Sequence, residues 1–76
     1  MTEEQKKELE NQFNYYSWKK EIHQFLGEDG KKWEDVSMMH ALREAFWTLG
    51  YSFKPKEEKI ESHITYQSYE LVEIKK

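Results

Sequence analysis

The chain contains no cysteine. Disulfide staples, the usual support of small secreted domains, are therefore excluded, as are zinc sites built on thiolates. A reducing, cytoplasmic setting is the expectation. No apolar run approaches the ~20 residues that cross a bilayer as a helix. Met1 to Glu10 is too charged and polar for a secretion signal. No membrane association is expected. Glycine occurs three times and proline once. Gly27, Gly30 and Gly50 read as helix stops or turn residues, and none forms a phosphate-cradling loop. Arginine is as scarce as proline: of the twelve basic residues only Arg43 is Arg. That lysine bias suits an AT-rich genome and points to a bacterial or phage origin.

What is present is charge of both signs and many aromatic rings. The net charge is −3. The lysines come as doublets (Lys6-Lys7, Lys19-Lys20, Lys31-Lys32, Lys75-Lys76), mostly flanked by acids. This is the pattern of a solvated surface, not of a basic stripe that tracks phosphates. The 76 residues, with three Trp, five Tyr and four Phe, read as one domain spanning 1–76. Large aromatics let a short chain bury area in few positions.

A helix is predicted from Thr2 to Leu26. Thr2 and Gln5 form a capping-box signature, Glu3 and Glu4 suit the first turn, and Gly27 stops the helix. Its apolar residues fall on two faces. Leu9, Phe13 and Tyr16 share one; Tyr15, Trp18, Ile22, Phe25 and Leu26 share another, roughly opposite. Three arrangements satisfy both stripes. The helix breaks near Asn11 to Asn14, with Asn14 as a new cap; or the hairpin wraps the N-terminal half; or Leu9, Phe13 and Tyr16 meet a second copy, giving a homodimer through this helix.

Gly27 to Gly30 reads as a turn, and Trp33 as a loop residue folded back on the core. A second helix is predicted from Asp35 to Leu49, with Met38, Met39, Leu42, Ala45, Phe46 and Leu49 on one stripe and Gly50 just past its end. Tyr51 to Lys54 reads as a short strand ended by Pro55, and Pro55 to Lys59 as a polar turn. From Ile60 onward the alternation changes phase near Gln67-Ser68. One long bulged strand is preferred there over two short ones. The fold class is α+β: two helices followed by a small antiparallel hairpin, α-α-β-β.

The motifs argue against catalysis. His23, His40 and His63 lie in three elements without metal-ligand spacing, so neither metal nor cofactor is expected. Ser62 and His63 are adjacent on an expected strand and point to opposite faces. Carboxylate pairs such as Glu28-Asp29 and Glu57-Glu58 are ordinary acidic surface. The candidate binding surface is His40, Arg43 and Trp47, at i, i+3 and i+7 on the polar side of the second helix, because Trp and Arg dominate binding hot spots. The competing reading buries Trp47 under the hairpin or the first helix. The expected function is a non-enzymatic protein-binding module, a small regulator or inhibitor with an unknown protein partner. The alternative is a weak nucleic-acid binder of winged-helix type, disfavoured by one Arg beside Glu44 and by a Lys54 to Lys59 turn whose acids offset its bases.

Overall fold

In the computed structural model, which describes residues 1–74, helix α1 spans Glu3–Phe25 without a break. Its start is the capping box: Gln5 N–H donates to Thr2 Oγ1 (3.1 Å) and Thr2 N–H to Gln5 Oε1 (3.0 Å). Its end is a complete Schellman motif around Gly27 at φ +73°. Gly27 N–H donates to the Gln24 carbonyl (3.1 Å) and Glu28 N–H to that of His23 (2.8 Å). No break occurs at Asn14, because its amide is engaged with a strand, as described below.

Helix α2 spans Asp29–Thr48, six residues earlier than the sequence predicts. The Gly27 turn reverses the chain at once, so no longer loop is needed. Lys32 N–H already donates to the Glu28 carbonyl (3.0 Å), and Asp29 sits in the first turn, where the helix dipole favours it. Trp33 is therefore helical and 62% exposed, not a loop residue tucked on the core. Gly50 follows the helix at φ +91°.

Strand β1 (Tyr51–Glu61) pairs antiparallel with β2 (Ile64–Glu73). The chain reverses at Ser62 and His63, which take φ +53° and +65°, the conformation of a two-residue type I′ hairpin loop. This corrects the reading of one long strand from Ile60. Ile60 belongs to β1, and Ser62-His63 is the turn. Pro55 does not end β1 either. It lies opposite Tyr69, whose N–H and C=O both point away from β1 toward Asn14. Pro55 thus occupies a non-hydrogen-bonded pair, and its missing donor faces the outer edge. The register slips by one residue between Pro55 and Glu58. The bulge is on β1, opposite the Gln67-Ser68 phase change. Buried Ser68 repairs it: its hydroxyl donates to the Glu57 carbonyl (2.7 Å) and accepts from Glu57 N–H (3.3 Å).

The core is Phe13, Met39, Phe53 and Leu71, one residue from each element. Phe13 stacks on Phe53 (centroids 4.0 Å apart, planes 7° apart) and takes Tyr69 edge-on at 5.0 Å. Leu9, Tyr16, Leu42, Phe46, Tyr51 and Tyr69 pack around it. Helix α1 also lines the outer edge of β2. Glu10, Asn14 and Ser17 fall at i, i+4 and i+7. Glu10 accepts from Leu71 N–H (2.9 Å), and Asn14 both donates to the Tyr69 carbonyl (3.1 Å) and accepts from its N–H (2.7 Å). Ser17 donates to the Gln67 carbonyl (2.7 Å). One helix face thereby satisfies backbone groups that a third strand would otherwise pair.

Candidate functional site

The first helix stripe, expected to meet a second copy, packs on the core of its own chain. Phe13 is fully buried within its own chain, and Leu9 and Tyr16 pack against the same cluster. The hairpin and α2 cover them, so no second copy is needed to satisfy them. The other stripe stays outside: Tyr15, Phe25 and Leu26 are exposed, while Trp18 and Ile22 are half-buried and Trp18 Nε1–H donates to the Glu61 carbonyl (3.1 Å).

On α2 the core side is Asp35, Met39, Leu42 and Phe46. Met38, Ala45 and Leu49, placed on that stripe by spacing, are exposed. Beside it runs a flank of Trp33, Val36, His40, Arg43 and Trp47, spaced 3, 4, 3, 4 as in a helix-pairing seam. Trp47 is 61% exposed, which removes the reading that buries it, and His40 is exposed beside it. Arg43 is not remote from the core as its spacing implied. Its guanidinium carbon lies 5.6 Å from the centroid of the Phe13 ring and 5.7 Å from that of Tyr69. These cation–π contacts place the exposed Arg43 side chain at the boundary between core and solvent. Lys20, Val36, Met39, His40, Arg43 and Tyr69 line a groove of about 180 Å³ there. The structure thus brings His40, Arg43 and Trp47 onto one face and adds Trp33, which the loop assignment had removed from consideration.

Sequence reasoning missed a clasp between the helices. His23 Nδ1 lies 2.5 Å from Asp35 Oδ2, and His23 Nε2 lies 3.9 Å from Glu28 Oε2. Asp35 is 4% exposed. The pair resembles the base and orienting carboxylate of a hydrolase, but the outer nitrogen faces a carboxylate and no hydroxyl bonds to it. The geometry fits a structural tie across the Gly27 corner. Ser62 and His63 occupy the hairpin turn, not a strand. Among the described residues no helix is long and apolar enough to cross a membrane. No family model matches the chain, and among curated proteins and solved structures no match to it was found.

Proposed function

We propose that the chain is a non-enzymatic protein-binding module, a small regulator or inhibitor of bacterial or phage type, that engages its partner along the outer flank of α2. One observation carries the reading. Two indoles, Trp33 and Trp47, stand mostly in solvent on the same helix flank as Arg43. Exposed large apolar side chains on one face mark interaction surfaces, and Trp and Arg are the types that dominate their energetics. No observation favours the nucleic-acid alternative to the same degree. The hairpin tip carries Glu61, Ser62 and His63 and neither Lys nor Arg. The net charge of −3 opposes a polyanion.

Tagged wild type and a Trp33→Ala/Trp47→Ala variant, run in parallel through affinity capture from the source cell, test this. Wild type is expected to retain a protein in near-stoichiometric amount and the variant to lose it. Equal retention by both, or none by either, rejects the reading.

A further inference from the structure

We infer that the partner segment is an acidic amphipathic helix, gripped through a carboxylate by Arg43. The inference rests on the protein-binding reading above and names the chemistry of the partner at the same surface. The groove beside α2 has an apolar floor of Val36, Met39 and Tyr69, and its charged or ionisable side chains are Lys20, His40 and Arg43. No carboxylate lines it. Glu44 is one residue on from Arg43 and about 100° around the helix, outside the groove. Lys20 pairs only with its neighbour Glu21, at 3.6 Å, and among the described residues no carboxylate pairs with Arg43. In a chain of net charge −3, a locally cationic groove selects an anionic partner.

Arg43 is prepared for that role. Its guanidinium carbon lies 5.6 Å from the Phe13 ring centroid and 5.7 Å from that of Tyr69, while the residue as a whole is exposed to solvent. Among the described residues its N–H fork has no carboxylate to serve. A planar guanidinium fork matches a carboxylate in bidentate fashion, which a lysine cannot do. The helical form of the partner follows from the seam. Trp33, Val36, His40, Arg43 and Trp47 recur at 3, 4, 3, 4, the spacing that meets another helix, and the span from Trp33 to Trp47 is about 21 Å, or four turns.

The test is selection from a phage-displayed library of four-turn helices. Leu is fixed on one seam, and Glu, Gln, Ala and Lys are randomised on the flanks. Against wild type, enrichment of Glu-bearing members is expected, with affinity of a selected peptide falling at least about tenfold in Arg43→Gln. Arg43→Lys, which keeps the charge and loses the fork, is expected to fall nearly as far. Trp33→Ala, remote from the core, is expected to weaken the same peptide while leaving the circular dichroism and melting curve unchanged, which separates lost contact from lost fold. Enrichment that ignores charge or favours Lys, yet is sensitive to Trp33, overturns the acidic partner and leaves the protein-binding reading intact. No enrichment, or enrichment unaffected by both Trp33→Ala and Trp47→Ala, overturns both. Retention of a labelled 20-base-pair DNA duplex that displaces the selected peptide overturns both in favour of nucleic acid.

Discussion

Arg43 and Trp47 differ by one helical turn and do different work. Arg43 caps two core rings and presents its edge outward; Trp47 touches little of the core and stands in solvent. Spacing grouped them correctly on one face, but the contact of Arg43 with Phe13 and Tyr69 joins residues far apart in sequence. The His23–Asp35 clasp was hidden for a related reason. Its partners are twelve positions apart, across a turn whose length was overestimated. Tyr66 supplies a test at the same scale. Partial burial, and then the Glu61 carboxylate, raise its phenol above the usual tyrosine value. The folded chain thus holds that proton more tightly than the unfolded chain does. The associated stability is complete below the unfolded value of about 10 and is lost as pH rises through the higher folded value. Urea midpoints of wild type and Tyr66→Phe, compared across that alkaline range, are expected to separate as pH rises, wild type losing stability that the variant keeps. Parallel curves would contradict the shift.

At the scale of elements, local signals were reliable where chemistry is local. Thr2 with Gln5, Gly27 and Gly50 mark helix ends in the sequence and in the structure alike. The hairpin was harder. Pro55 looks like a strand stop until its pairing partner is known, because only the register reveals that its missing N–H faces outward. Ser62-His63 lacks the Gly or Asn that announces a type I′ turn, yet both residues take positive φ. The bulge and Pro55 leave β1 with an outer edge poorly suited to pairing, reinforced by Lys54, Lys56 and Lys59. The edge of β2 is guarded by α1 instead. Asn14→Ala removes both bonds to Tyr69 and is expected to cost about 1–3 kcal/mol, read as a lower urea midpoint. It is also expected to promote aggregation by uncovering the edge. An unchanged midpoint would mean that water replaces the amide without loss.

The whole molecule measures 40 × 22 × 19 Å, so no interior point is far from solvent. Among its described residues four hydrophobic side chains are buried and nine large apolar ones are exposed. Composition foretold a thin core but not which stripe of α1 would form it, since both stripes are apolar and only the positions of α2 and the hairpin decide. The same thinness gives the exposed indoles their meaning. A chain with so few buried positions leaves Trp33 and Trp47 outside the core, where the proposed function gives them a role in binding instead of folding. Urea denaturation of the Trp33→Ala/Trp47→Ala variant beside Phe13→Ala measures this directly. The account predicts a loss below about 1 kcal/mol for the double variant and about 3–5 kcal/mol for Phe13→Ala. A loss of several kcal/mol in the double variant would show that the indoles are core, and would contradict the assignment of α2's outer flank as the binding surface.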